Sequence, residues 1–339
     1  MDIGLVKRCA AAGVAAVALS VSVSAPAAAS PAPGAATCSY QVTPVAVPPG
    51  AERQRVDVVA TDGAGNYSGT EIVGSSGAYR LVLWHGDDPE TVEPPKGFDS
   101  VAPRSQNRSG TVLVNAVSVA DRKRQIFLYR DGNYEPLAIP DGFVDPRGVA
   151  INDLGEIVAT ANPVGGTGSV VIAWLSHAAG PVIIAPPELP YASAVDIDQD
   201  GTIMLGDGYS AYLWRAGKLT ALPPSPEVPV LSRGISAGRA VGTILDAKGP
   251  KGVVWTGNIP ELLEGGGAAE SINRHGLIAG RARAWDGPPV VWQGTRLAAE
   301  LPLPAGSTSA RADLVSDDGT VFGNADAGAG PVHWRCAVR

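Results

Sequence analysis

Short apolar runs alternate with polar turns along most of the chain, and the spacing is that of strands rather than helices. The segments "GVAINDLGEIVATAN" (148–162), "AVDIDQDGTIMLGDG" (194–208), "ESINRHGLIAGRA" (270–282) and "RADLVSDDGTVFGNA" (311–325) share one layout. Each is an apolar stretch, a polar turn with a glycine, and a second apolar stretch. Such turns predict β-hairpins, because glycine accepts positive φ without steric cost. Fainter copies, "VVATDGAGNYSG", "PRSQNRSGTVLVNA" and "RGISAGRAVGT", bring the number to seven. The turn glycines are Gly65, Gly110, Gly155, Gly201, Gly238, Gly276 and Gly319, about forty residues apart, as in propeller repeats.

A third apolar stretch follows each hairpin and ends on an aromatic: Trp84, Tyr129, Trp174, Trp214, Trp255, Trp292 and Trp334. An aromatic in the same frame of every repeat predicts a packing position between neighbouring sheets. A fourth stretch then runs into proline, as in "TVEPP", "KLTALPP" and "AAELPLP". Proline is tolerated at the outer edge of a sheet, where no neighbour needs its N–H. Four short strands repeated seven times predict an all-β fold, a seven-bladed β-propeller of four-stranded blades. No segment shows the sustained 3.6-residue period that an α-solenoid would require.

The last copy stops after its third strand, at "GPVHWRCAVR". The segment "CSYQVTPVAVPPG" (38–50) has the apolar-then-proline character of the missing fourth strand. The N-terminal strand is therefore expected to complete the last blade and close the ring. Cys336 then follows the third strand and Cys38 precedes the fourth, where a peptide turn would otherwise join them. A Cys38–Cys336 disulfide is the expected substitute for that turn; two unpaired or intermolecular thiols are the alternative.

The 339 residues begin with Lys7 and Arg8, an apolar run, and an Ala-x-Ala site at Ala27 and Ala29. This is the layout of a secretory signal. The expected organisation is a signal peptide over 1–29, a disordered Pro/Ala leader over 30–37, and one propeller over 38–339. No other apolar run is long enough to span a membrane. Net charge is −7, which argues against a general nucleic-acid binder. A secreted, extracellular, soluble monomer is expected.

The repeats resemble the HAF family of bacterial extracellular repeats, whose units carry an Ile-Asn-Asp-x-Gly turn, a strand ending near Val-Gly, and His-Ala-Phe before Leu-Trp. "AINDLGEIVA" (150–159) and "SINRHGLIAG" (271–280) carry the first part. "SAYLWRAG" (210–217) and "QIFLYRDG" (125–132) carry the second, and no copy has His-Ala-Phe itself. The resemblance covers nearly the whole region after the leader. It implies a secreted propeller-like protein and brings no catalytic residues with it.

Candidate chemistry is sparse. Asp196, Asp198 and Asp200 in "DIDQDG" offer oxygens at alternate positions before a glycine, as Ca²⁺ loops do. The ordinary hairpin turn is the competing reading, and no other cofactor is implied. His85, His177, His275 and His333 fall in unrelated frames, and neither a zinc nor a Gly-x-Ser-x-Gly motif is present. Arginines recur at the first strands of five repeats, Arg55, Arg104, Arg147, Arg233 and Arg311. The basic loops "ADRKRQ" (120–125) and "DAKGPKG" (246–252), with Arg281, Arg283 and Trp285, are expected on the same face. A basic face on an acidic protein would take a carboxylate- or phosphate-bearing ligand through bidentate contacts. Pairing with Asp57, Asp145 or Asp313 would instead make these arginines structural.

The reading is a secreted binding or interaction module rather than an enzyme, with a polysaccharide or envelope protein as partner and an acidic glycan or cell-envelope component as ligand. One alternative is a propeller-type polysaccharide lyase or glycoside hydrolase. The other is a structural envelope protein without a small ligand.

Overall fold

Three of the hairpin turns, at Asn107, Asn152 and Asn273, close through their asparagines. Asn152 Oδ1 accepts from the Leu154 and Glu156 N–H groups of its own turn at 3.1 and 2.9 Å. Its Nδ2 donates to the Asp198 carbonyl of the next turn at 3.0 Å. Asn107 donates likewise to the Asn152 carbonyl, and Asn273 to that of Ser316. An amide has both an acceptor end and a donor end, so one side chain folds its own hairpin and staples it to the next. That is the physical content of the Ile-Asn-Asp-x-Gly turn. Asp198 has no donor, and its carboxylate accepts from Ala237 and Gly238 N–H of the following hairpin at 3.0 and 2.6 Å.

In this computed structural model, which describes residues 38–75, 77–224 and 227–337, the strands form seven four-stranded antiparallel sheets. We number these blades in chain order: blade 1 (56–92), blade 2 (98–136), blade 3 (143–184), blade 4 (193–221), blade 5 (230–262), blade 6 (268–300) and blade 7 (310–337). The outer strand of blade 7 is Ser39–Pro44, paired antiparallel to Gly330–Ala337 with Val42 opposite Trp334. The seven-bladed ring is thus closed by the N-terminal strand, as the sequence predicts. Cys38 and Cys336 form the expected disulfide, with Cα atoms 5.4 Å apart. Such a bond persists in oxidising compartments. The signal and leader expected over 1–29 and 30–37 lie outside the described residues.

The blades are of two kinds, set by the residue at one position. In blades 1, 5, 6 and 7 a glycine lies on the second strand, two residues past the partner of the aromatic: Gly69, Gly242, Gly280 and Gly323. There Trp84, Trp255, Trp292 and Trp334 are wholly buried. Each indole Nε1 donates to a carbonyl at the end of the preceding blade: Ala46, Pro223, Glu264 and Pro302, at 2.6–2.9 Å. Blades 2, 3 and 4 carry Val114, Ala159 and Leu205 at that position. Their aromatics Tyr129, Trp174 and Trp214 are only partly buried. A side chain under the ring keeps it from lying flat in the wedge, so the packing expected of all seven repeats holds in four.

Candidate functional site

In this meander the loops joining second to third strands, and those joining one blade to the next, share one face of the ring. The basic loops lie on it with Arg55, Arg147, Arg281, Arg283 and Arg311, while Arg104 and Arg233 sit farther along their strands in the channel wall. Blades 2 and 3 depart from the repeat there. Their inner strands, Phe98–Gln106 and Phe143–Ile151, have nine residues each, against five to seven elsewhere. Each carries a second β-bulge near this face, after Phe98 and after Val144. In blade 3 the unpaired residues are Asp145 and Pro146. Proline has no N–H to give a ladder, and Asp145 adopts a left-handed φ of 52° that costs an L-residue about 1 kcal/mol. The Asp145 carboxylate compensates by bridging Arg124 and Arg147, with Arg147 Nη2 3.1 Å from one oxygen and Arg124 Nη1 on the other.

Three cavities meet at these strands. The largest, about 710 Å³, has Phe98, Leu137, Ile139 and Phe143 in its wall and Arg122, Lys123 and Arg124 beside them. Arg122 pairs with Asp99 and Lys123 with Asp121. The second, about 390 Å³, is lined by Arg104, Arg124 and Arg147 with Asn115, Thr160 and Ser193, and by no carboxylate. Asn115 is locked in place, since its amide donates to and accepts from the Gly148 backbone at 3.0 and 2.8 Å. The third, about 240 Å³, holds Asp145, Arg147 and Tyr191, a residue 60% exposed. Arg124 joins the first two cavities and Arg147 the second and third.

The other nominated residues are not gathered here. Arg55 pairs with Glu52, and Arg311 lies 3.5 Å from Asp313. Arg233 and Arg281 both contact Glu270 at 3.2 Å. Arg283 lies 3.8 Å from Glu300, and Trp285, 40% exposed, gives its carbonyl to Arg281. With Arg147 held by Asp145, structural pairing thus claims every nominated arginine except Arg104. Tyr191 was missed by sequence reasoning, although an aromatic directly after proline in "PELPYAS" has no counterpart in the other repeats.

Asp196, Asp198 and Asp200 are not brought together as the Ca²⁺ reading would need. Asp196 faces the central channel and accepts from Ile197 and Ile235 N–H. Asp198 caps the next hairpin, and Asp200 pairs with Arg215 at 2.9 Å. Among the described residues no group of three or more metal-ligating side chains forms. Loss of hydration in the channel wall, with the Asp198 charge adding to it, pushes Asp196 up to about 7 despite its two backbone donors. The folded chain then holds that proton more tightly than the unfolded chain, so stability falls as pH rises from the ordinary carboxylate range through about 7. Asp196→Asn is expected to flatten that decline in melting temperature. An undiminished slope in the variant would assign the titration to another group.

No protein-family model matches the chain, and no curated protein matches its sequence. Solved structures match it by shape. The β-propeller domain of the Trilobed protease from Pyrococcus furiosus, described as having an open velcro topology, superposes with a TM-score of 0.54 at 11% identity. That match covers 74% of this chain and 86% of that one. YCF48 from Cyanidioschyzon merolae gives 0.53 at 10% identity over 87% of this chain and 98% of that one. A prolyl endopeptidase gives 0.56 at 13% identity over 80% of this chain, which spans 45% of that protein. What is shared at these identities is the β-propeller fold. No helix among the described residues is long and apolar enough to cross a membrane.

Proposed function

We propose that the protein is a secreted binding module whose face at blades 2 and 3 takes an acidic glycan of the cell envelope or its surroundings. The observation that carries this reading is the convergence of Arg104, Arg124 and Arg147 on one cavity, three guanidiniums against the single Asp145 carboxylate that Arg124 and Arg147 share. Guanidinium groups pair bidentately with carboxylates and phosphates. Exposed Tyr191 beside Arg147 offers the apolar face on which a sugar ring stacks, while the ring's hydroxyls meet Thr160 and Ser193. Export is supported by the signal-like start of the chain and by the disulfide.

A lyase or hydrolase needs two titratable groups aimed at one substrate. Two channel acids have raised pKa values, Asp196 and, through burial and the nearby Glu270 and Asp57 charges, Asp313. Asp196 already spends both oxygens on backbone N–H groups of its own and the next blade. Binding is therefore the reading these side chains favour.

Titration with polygalacturonate at low salt tests it. The wild type is expected to bind and a neutral dextran not to. The double variant Arg124→Ala/Arg147→Ala, with an unchanged circular dichroism spectrum, is expected to bind about tenfold or more weakly. Equal affinity in the variant would remove the site.

A further inference from the structure

Every inner strand carries one β-bulge at the same height. The ladder skips Val59, Arg104, Val149, Val195, Arg233, Glu270 and Asp313, one residue from each blade in order. The skipped residue of a bulge has no partner across the ladder and is re-aimed by the local bend. All seven line the central channel, in a cavity of about 240 Å³. The bulges thus build a ring of side chains, one per blade, around the axis.

The charges on this ring are unequally satisfied. Glu270 is held by Arg233 and Arg281, and Asp313 has Arg311 beside it. Arg104 stands apart. Its ring neighbours are Val59 and Val149, and no described residue gives its guanidinium an ion pair or a hydrogen-bond acceptor. The other four arginines of the inner-strand set each have a carboxylate within 4 Å. Arg104 also lines the 390 Å³ cavity with Arg124 and Arg147, so it joins that cavity to the channel. Arg104 is exposed, so its unpaired guanidinium is open to an anion arriving at the channel.

We propose that the channel mouth is a subsite for one uronate unit at a glycan chain end, with Arg104 pairing to its carboxylate, while further units lie across Arg124, Arg147 and Tyr191. This deepens the acidic-glycan reading of the same face and rests on it. The channel cavity has the space of about eight waters at ~30 Å³ each, enough for one sugar ring. A neutral sugar leaves Arg104 unpaired, so the subsite selects for charge as well as for a chain end.

The test is calorimetric titration of the full exported chain with galacturonic acid, its methyl ester and polygalacturonate. Two variants accompany the wild type: Arg104→Ala, and Val149→Glu, which places a carboxylate next to Arg104 in the ring. Galacturonate is expected to bind the wild type, and the ester about tenfold or more weakly. Both variants are expected to lose galacturonate by a similar factor while retaining polygalacturonate at reduced affinity through Arg124 and Arg147. Arg104→Gln, which keeps the hydrogen-bonding end without the charge, replaces either variant whose melting temperature drops. Galacturonate binding that is unchanged in the variants, or equal for acid and ester, overturns the subsite. So does a wild type that binds the polymer and not the monosaccharide, and in that case the wider binding face still stands. A wild type that binds neither removes the wider reading as well.

Discussion

Replacing Cys336 by Ser, or reducing the disulfide, is expected to lower the unfolding free energy by about 5–6 kcal/mol, the loop-entropy value for a bond closing nearly the whole chain. The two cysteines are 298 residues apart. Without the bond, strand Ser39–Pro44 is held only by its ladder to Gly330–Ala337 and by its side chains. Tyr40 and Val42 pack on the cluster containing Trp334, and Val45 is buried with Trp84 and Tyr67. The indole of Trp84 donates to the Ala46 carbonyl just beyond the strand. Fraying of this strand would therefore expose two of the buried tryptophans, and fluorescence should report it. Urea unfolding of the oxidised and reduced protein measures the difference. Coincident midpoints would mean that the strand holds the ring shut unaided.

The second large effect is expected at Gly280. A Cβ there would collide with the Ala268 carbonyl oxygen and would come within 3.1 Å of the Trp292 ring. The same holds at Gly242, where the Leu231 oxygen and the Trp255 ring are the obstacles. The inner-strand bulge draws the two strands close beside this glycine, and the indole fills the remaining space. Gly280→Val is expected to cost about 3 kcal/mol or more, at the upper end of overpacking effects, since a backbone carbonyl must move. Denaturant midpoints measure the loss, and a red shift in tryptophan emission locates it at Trp292. A variant of wild-type stability would mean that the glycine is not what seats the ring.

The repeat was legible because nearly every blade carries it: a glycine with positive φ in each hairpin turn, a turn asparagine or aspartate in all but blade 5, an aromatic closing the third strand, a proline near the edge. Ring closure was legible for the same reason, since a blade lacking one strand must find it elsewhere. The site was less so. It arises where blades 2 and 3 stop obeying the pattern, through second bulges in "FDSVAPRSQ" and "FVDPRGVAI" that only pairing registers reveal. The substitution of Val114, Ala159 and Leu205 for glycine was visible in the sequence, but its meaning depended on which residue lies under which ring. The arginines were read as one set because they recur in frame. Their different fates depend on whether each falls on a bulge, as Arg104 and Arg233 do, or near a carboxylate from another strand. The acids of "DIDQDG" resemble a Ca²⁺ loop in one dimension, but the chain turns between them and sends each carboxylate to a different partner.

Hydrogen exchange with and without polygalacturonate tests the central claim, that one face of blades 2 and 3 is the binding surface. Protection is expected at the start of strands Phe98–Gln106 and Phe143–Ile151, in loop 119–123 and around Tyr191. The hairpin turns at Asn107, Asn152 and Asn273, on the opposite face, should exchange as before. Protection of those turns, or of other blades in place of blades 2 and 3, would contradict it.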